Sequence, residues 1–350
     1  MTLRRANMLK RLQRALGRPT QGPEPNSEPN SEPRIVAEDN PPRPDPLPSF
    51  RLFAILGTWL EADVVAATVR NAFTQGCERV YVVDNDSPDD TAGIACAAGA
   101  TLARSFSCES YDETLRLRLM NEVVAEVSAA ADAEHVWWLW LDADEFHHGP
   151  RGTTLREYLG TLDRRFRIVG ARVFNHFPHG KPEYVPGFHP LDFQPLCQEF
   201  RVAHCPTGHW KHPLQRFDRS GPPIVCAIGF HKAESATAPL LEPSIPVFMH
   251  HFQYRDEERT RHRLEQLCRP VGAGKSRIAL TDARWGGSGI SKRFRTLTAV
   301  YAQRWDRVEN LSRRGDPIGV SPVPWERTVG AEDARYAVWY PADAEAQTRS

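Results

Sequence analysis

The chain has 350 residues, of which 41% are hydrophobic and 25% charged, a composition typical of a globular protein. Lys and Arg together number 44, as do Asp and Glu, so the charge balance gives no indication of a nucleic-acid partner. No apolar run reaches the roughly 20 residues that a membrane-spanning helix needs. The first 20 residues lack the apolar core of a signal peptide, and the seven cysteines show no disulfide framework, so we predict a cytoplasmic protein.

Residues 1–49 are predicted to form a disordered N-terminal segment. The stretch 19–49 is rich in Pro, Glu, Asn and Ser, and such a composition buries too little apolar surface to fold. The first 14 residues place five Arg and Lys among Leu and Met. Two interpretations stay open for them: a weak peripheral contact with anionic lipid at the inner face of the plasma membrane, or a frayed basic tail.

Short apolar runs alternate with longer helical patterns from residue 50 onwards. The predicted strands are 51–56, 79–85, 101–105 and 135–145, and the predicted helices are 61–76, 89–99 and 112–131. The strands are apolar throughout, as expected where helices cover both faces of a sheet. The alternation therefore predicts an α/β fold with a mostly parallel, Rossmann-like sheet flanked by helices.

The second half of the chain has a looser pattern. Another strand is predicted at 167–177, a loop-rich region follows to about residue 250, and basic helices are predicted at 256–267 and 291–314. A loop region rich in His, Pro and aromatic residues is typical of a binding surface. We therefore divide the folded part into a catalytic domain, 50–255, with a loop-rich acceptor region, and a C-terminal helical extension, 256–350.

Polar and acidic residues follow the predicted strands. They are Thr58 and Glu61 after the first strand, Asp84, Asn85 and Asp86 after the second, and Asp142, Asp144 and Glu145 after the fourth. In open α/β sheets ligands bind beyond the carboxyl ends of the strands, so these residues are candidates for a site.

The acids after the fourth strand carry the clearest chemical signal. Three carboxylates in four residues repel one another unless something neutralises them. The spacing of Asp142 and Asp144 places both on one side of an extended chain, where Mn²⁺ or Mg²⁺ could join them to a diphosphate. The alternative is an acidic cluster that caps a following helix. In the second acidic cluster, Asp84 is predicted to accept hydrogen bonds from a nucleobase or ribose.

Two of these segments resemble a known family. "VVDNDSPDDT" and "WLWLDADEF" look like the signature pair of glycosyltransferase family 2 and its neighbours, which have the GT-A fold, and "LDADEF" is most similar to the branch that also resembles family 92. The resemblance runs from about Phe50 to Arg255. It implies a metal-dependent, inverting transfer of a sugar from a nucleotide-sugar donor to a hydroxyl acceptor, which is a glycan, a lipid-linked molecule or a small molecule. The family's first strand usually ends in Asn-Glu, whereas this chain has Leu60 before Glu61.

The resemblance also implies roles for individual residues. The implied donor-binding residues are Thr58, Glu61, Asp84, Asp86, Arg118, Asp142 and Lys211. The implied metal ligands are Asp142, Asp144, His231 and His250. Asn121 matches a weaker polar pattern of the family beside Arg118. An inverting transfer needs a general base, for which Glu199, Asp192 and Asp218 are the candidates, with Glu199 preferred.

Two other functions remain as alternatives. A sugar-nucleotide nucleotidyltransferase would share the fold type, but it would begin with a Gly-rich, basic phosphate loop that the stretch 51–63 lacks. A non-catalytic carbohydrate-binding protein is the second alternative. The intact acidic triplet counts against it, because clustered acids without a function only cost stability.

Overall fold

The computed structural model describes most of the central part of the chain. The described residues are 35–107, 113–178, 190, 194, 197–200, 211–231, 233–235, 239–268, 270–271, 275–276, 289–302, 304, 325–327 and 339–341.

One large sheet of nine strands organises this part of the chain. Its strands are β2 (Arg51–Thr58), β3 (Arg79–Asp84), β4 (Thr101–Ser105), β5 (His135–Asp142), β6 (Glu145–His148), β7 (Ile168–His176), β8 (Cys197–Phe200), β9 (Lys211–Asp218) and β13 (Val247–His251). The order is β4-β3-β2-β5-β9-β7-β13-β6, and β8 pairs with β7. The predicted parallel pairing is present from β4 to β5. Beyond β5 the sheet is mixed, because β9 runs antiparallel to both of its neighbours.

Small strand pairs lie outside the large sheet. They are β1 (Ile35–Glu38) with β12 (Leu240–Pro243), β10 (Ile224–Cys226) with β11 (Ala233–Ser235), β14 (Pro270–Val271) with β15 (Lys275–Ser276), and β16 (Trp325–Arg327) with β17 (Trp339–Pro341).

Helices cover both faces of the sheet. They are α1 (Val65–Thr74), α2 (Thr91–Ala97), α3 (Glu113–Ala130), α4 (Leu155–Leu159), α5 (Glu257–Cys268) and α6 (Gly289–Tyr301). In the described part of the chain, no helix is both long enough and apolar enough to cross a bilayer.

Strand β5 is buried on both faces, as its uniform apolar sequence predicts. Trp137 packs with α1, α2 and α4 in one core, whereas Trp138 and Trp140 pack with α3 in the core on the other face. The Trp138 indole N–H donates to Ser128 on α3 at 2.8 Å, which satisfies a buried donor. A strand held from both sides in this way gives its C-terminal end, Asp142, a fixed position.

The N-terminal segment is ordered further towards the N-terminus than the sequence predicts. Strand β1 pairs in parallel with β12, and Leu47 and Phe50 pack against the main core. Residues 35–49 therefore contribute backbone pairing and apolar contacts that their Pro-rich composition does not indicate. Residues 1–34, with the proposed membrane contact, lie outside the described residues.

Candidate active site

The acidic triplet lies on a tight connection between two strands. Strand β5 ends at Asp142 and β6 begins at Glu145, so only Ala143 and Asp144 separate them. The Phe252 amide donates to the Asp144 carbonyl at 2.9 Å, which holds this turn against the end of β13. Because a strand follows the triplet, the alternative that these acids cap a helix is wrong.

Two cations of the chain neutralise Asp142. Arg116 on α3 donates to Asp142 Oδ1 at 2.9 Å, and the Lys211 ammonium at the start of β9 donates to Oδ2 at 3.1 Å. Lys211 also pairs with the fully buried Glu145 carboxylate. Burial alone would raise the pKa of Asp142, but Lys211 and Arg116 hold it below its usual range. Burial alone would lower the pKa of Lys211, but Glu145 and Asp142 raise it above its usual range.

The structure brings Arg116 to the site in place of the predicted Arg118. Arg116 is buried and is held by two contacts to Glu113 at 2.8 and 2.9 Å, whereas Arg118 is exposed. Residues two positions apart lie on different sides of a helix, so only one of these arginines can face the sheet. A Cβ on Gly57 would lie 2.7 Å from the Arg116 guanidinium, so the absence of a side chain there makes room for this arginine.

Asn121 has a structural contact. Its side chain exchanges hydrogen bonds with the backbone of Cys226, at 3.2 Å to the amide and 3.3 Å to the carbonyl. It therefore fixes β10 on α3.

An aromatic ring supports the two cations beside Asp142. The Phe230 ring lies 5.5 Å from the Arg116 guanidinium carbon and 5.3 Å from Lys211 Nζ, and it packs against Trp140. Phe230 has a φ of 59°, a strained value for a bulky side chain. The ring face attracts both cations and so favours their position over the end of β5.

Asp144 is surrounded by three nitrogen groups that all lie beyond normal hydrogen-bond distance. His251 Nε2 is 3.5 Å away, Arg263 is 3.5 Å away and Arg255 is 3.7 Å away. Burial alone would raise the pKa of Asp144, but His251, Arg263 and Arg255 hold it well below its usual range. Asp144 is thus a buried, ionised carboxylate with no close hydrogen-bond partner among the described side chains.

The same arginines connect Asp144 to the end of β2. Arg255 donates to Glu61 at 2.6 Å and to Asp63 at 2.7 and 3.1 Å, and Arg263 pairs with Glu61. Burial raises the pKa of Glu61 to about 7, although Arg263 and Arg255 oppose this. The predicted residue Glu61 therefore joins the site, and helix α5, which lies beyond the predicted domain boundary at 255, completes it.

Asp84 and Thr58 form a polar pair at the ends of β3 and β2. The Thr58 hydroxyl donates to Asp84 Oδ1 at 2.7 Å, and the Ser87 amide and hydroxyl donate to the same carboxylate at 2.8 and 2.7 Å. Asp84 thus orders the loop after β3, with capacity left for a further donor. Asp86 is exposed on that loop, with a φ of 46°.

His251 faces Asp144, whereas the predicted ligand His250 does not. Neighbouring residues of a strand point to opposite faces, and His250 is buried between His148 and His176, with nitrogen–nitrogen distances of 3.0 Å to each. The structure therefore places His251, and not the predicted ligand His250, beside Asp144. The other predicted histidine, His231, follows Phe230 and accepts a hydrogen bond from His212 through its carbonyl.

The candidate general bases are placed differently. Asp218 pairs with His135 at the start of β5 and with Arg216 and Arg167. It therefore lies at the opposite end of β5 from Asp142, roughly 20 Å away at the usual rise of a strand, and the structure does not bring it into the site. Glu199 lies on β8, where its backbone pairs with Phe174 of β7. Asp192 lies outside the described residues.

The side chains around Asp144 offer few ligands for a divalent cation. Among the described residues, no group of three or more His, Cys, Asp or Glu side chains is arranged to hold a metal ion. Asp144 and His251 nevertheless offer one ionised carboxylate and one imidazole close together. Mg²⁺ and Mn²⁺ commonly bind through one or two protein groups, with phosphate oxygens and water filling the other positions. These two residues therefore fit a cation that binds together with a diphosphate. The two oxygens of Asp142, the other predicted carboxylate ligand, already accept from Arg116 and Lys211.

Comparisons with known proteins give distant structural likenesses. No protein-family model and no curated protein matches the chain. Glucosyl-3-phosphoglycerate synthase from Mycobacterium tuberculosis, solved with Mn²⁺, UDP and glucosyl-3-phosphoglycerate, is 17% identical over 36% of this chain and 44% of that chain, with a TM-score of 0.24. A mycobacterial protein is 18% identical over 36% and 41%, with a TM-score of 0.26. TarS from S. aureus is 12% identical over 76% and 50%, with a TM-score of 0.36.

This chain matches half or less of the length of each of these structures. Values this low describe a partial likeness in fold only. The edge of the sheet brings together six buried or half-buried carboxylates: Glu61, Asp63, Asp84, Asp142, Asp144 and Glu145. Four basic side chains lie among them: Arg116, Lys211, Arg255 and Arg263.

Proposed function

We propose that this protein is a metal-dependent glycosyltransferase that moves a sugar from a nucleotide-sugar donor to a hydroxyl acceptor, with inversion. One observation carries the proposal: Asp144 is buried and ionised at the carboxyl edge of the sheet, beside His251, without a close hydrogen-bond partner. The three nitrogen-bearing side chains around Asp144 keep its carboxylate ionised, which is the state in which it can bind a divalent cation. The place where it lies is the one where open α/β sheets bind ligands.

The chain's own residues divide the work of binding the donor. Asp144 and His251 would hold Mn²⁺ or Mg²⁺, and the cation, when bound, neutralises charge on the diphosphate leaving group. Asp84 and Thr58 lie on the neighbouring strand ends, where they would contact the base or ribose. Lys211 lies next to Asp142, so its ammonium can also attract the phosphates.

The acceptor is a hydroxyl compound, and its deprotonation needs a base. Glu199 is the proposed general base, because β8 pairs with β7, whose C-terminal end lies at the same edge of the sheet as His251. A carboxylate there would take the proton of the acceptor hydroxyl as the sugar carbon is attacked. A glycan or a lipid-linked glycan is the proposed acceptor class.

Calorimetry tests the proposal directly. UDP is titrated into the wild-type protein with Mn²⁺ and again in excess EDTA, and into Asp144→Asn with Mn²⁺. We expect the affinity for UDP to fall at least about tenfold in EDTA and in the variant, since a charge-assisted contact is lost in both. Asp132→Asn is the matched control, because Asp132 is an exposed acid before the other end of β5. Equal UDP affinity with and without EDTA would overturn the metal role, and absence of UDP binding under all conditions would overturn the donor class.

A further inference from the structure

Arg263 occupies the space beside the proposed metal ligand. Its guanidinium reaches from α5 to two carboxylates: one nitrogen pairs with Glu61, and the other lies 3.5 Å from Asp144 Oδ2. The second distance is longer than a normal hydrogen bond, so Arg263 neutralises Asp144 through space more than it binds it. Arg263 therefore stands where a cation on Asp144 would have to come close.

The second arginine near Asp144 is held much more firmly. Arg255 is buried, donates to Asp63 through two nitrogens, and also donates to Glu61 and to the Phe252 carbonyl at 2.8 Å. A guanidinium with all of these contacts cannot leave without exposing several buried acceptors. Of the two arginines, Arg263 is the one that can move, and 19% of its side chain is already exposed.

A cavity gives Arg263 a place to move to. This cavity of about 200 Å³ is lined by Arg263, Arg259 and Thr260 of α5 and by Leu60 and Asp63 at the end of β2, among other residues. The Arg259 side chain is exposed, and no carboxylate within the described residues lies at ion-pair distance from it. A guanidinium that swings out of the acidic cluster would thus enter a space beside the Arg259 cation. The Asp63 and Asp89 carboxylates on the cavity wall balance part of this positive charge, and an arriving anion would balance the rest.

The charges around Asp144 explain why binding of a divalent cation would displace Arg263. With Glu61 ionised, the three acids Glu61, Asp63 and Asp144 face two guanidinium groups and one negative charge is left over; with Glu61 protonated, the charges balance. In either state a divalent cation on Asp144 would leave an excess of positive charge. Arg263 would then be repelled from Asp144 and attracted to the phosphates that arrive with the cation.

We propose that Arg263 is an exchangeable counter-ion. In the free protein it neutralises Asp144, and on donor binding it moves into the α5 cavity and binds, with Arg259, the diphosphate of a nucleoside diphosphate. This inference rests on the proposed function, because it assumes that a divalent cation binds beside Asp144. It assigns to α5 a phosphate-binding role for which the sequence gives no indication.

The test compares two affinities in one variant. Binding of Mn²⁺ without nucleotide is measured from the electron paramagnetic resonance signal of free Mn²⁺, and binding of UDP at saturating Mn²⁺ is measured by calorimetry. In Arg263→Ala we expect Mn²⁺ to bind about tenfold tighter and UDP about tenfold weaker, with uridine affinity unchanged. Arg261→Ala is the matched control, because Arg261 lies on the same helix and, among the described residues, its side chain pairs only with Glu257 at the helix surface.

A double variant serves as the control for misfolding, because it removes the acid that Arg263→Ala would leave without this partner. Glu61→Gln combined with Arg263→Ala removes both partners of the ion pair, and we expect it to keep the tighter Mn²⁺ binding. If both affinities fall together, or if neither changes, Arg263 is a structural residue and the inference is wrong. If UDP binding to the wild type needs Mn²⁺, but Arg263→Ala binds Mn²⁺ with the affinity of the wild type, the proposed function stands and the role given to Arg263 is wrong. Wild-type UDP binding that ignores Mn²⁺ overturns the proposed function and this inference together.

Discussion

Replacing Lys211 by Met should destabilise the fold strongly, because it leaves a buried acid unpaired. The Lys211 ammonium is the partner of Glu145, whose side chain is completely buried, and it also contacts Asp142. Asp142 keeps Arg116 after the substitution, and 28% of its side chain is exposed, so most of the cost comes from Glu145. Removal of one member of a buried ion pair typically costs about 3–5 kcal/mol, and we expect the free energy of unfolding to fall by that amount at pH 7.

A second substitution separates the contribution of the ion pair to the free energy of unfolding from the contribution of side-chain packing. Glu145→Gln removes the buried charge, so the double variant Lys211→Met with Glu145→Gln should recover at least about 2 kcal/mol over Lys211→Met alone. The four proteins are compared by urea denaturation, from the midpoints and slopes of the unfolding curves. Unchanged slopes are required for the free energies to be compared.

The pH dependence has a definite sign. Burial raises the pKa of the Glu145 carboxyl, although Lys211 opposes this, and without Lys211 the pKa rises further. When the pKa of a carboxyl is higher in the folded than in the unfolded state, the free energy of unfolding falls as pH rises through the folded-state pKa. Below the ordinary, unfolded-state pKa the carboxyl is protonated in both states and costs no stability. The deficit of Lys211→Met should therefore be largest near neutral pH and shrink towards pH 4.5. A variant within about 1 kcal/mol of wild type at pH 7, or a double variant no more stable than Lys211→Met, would refute this reasoning.

Two further predictions concern positions where sequence and structure differ. Deleting residues 1–34 should leave the melting temperature unchanged. Deleting residues 1–49 should lower it by several degrees, because β1 and the packing of Leu47 are lost. Equal melting temperatures of the two proteins in calorimetry would contradict the contribution of residues 35–49 to the fold. Arg116→Ala should weaken UDP binding about tenfold, because Asp142 is then less neutralised and repels the diphosphate, whereas Arg118→Ala should stay within about twofold of wild type. The reverse order of the two effects would show that α3 presents a different face to the sheet.

The sequence alone was enough to predict the strands and helices of the α/β half of the fold. Uniformly apolar runs separated by helical patterns predicted β2, β3, β5 and the neighbouring helices, because local period and burial on both faces leave a strong signature. Strand β4, which is exposed or half-buried, was predicted from its place in the alternation. The same pattern placed Glu61, Asp84 and Asp142 at strand ends, and parallel strands bring such ends to one edge. These statements depend on neighbours in the chain or on the direction of a strand, which a single sequence contains.

Only the tertiary structure decided which side chains meet there. The choice of Arg116 over Arg118, and of His251 over His250, depends on which side of a helix or strand faces the site, and a shift of one or two residues reverses it. The contact of Arg263 with Asp144 joins residues more than a hundred positions apart, across the boundary drawn from composition. Charge clusters look alike in a sequence whether metal or arginine neutralises them, because electrostatic energy depends on distances in space that the order of residues does not contain.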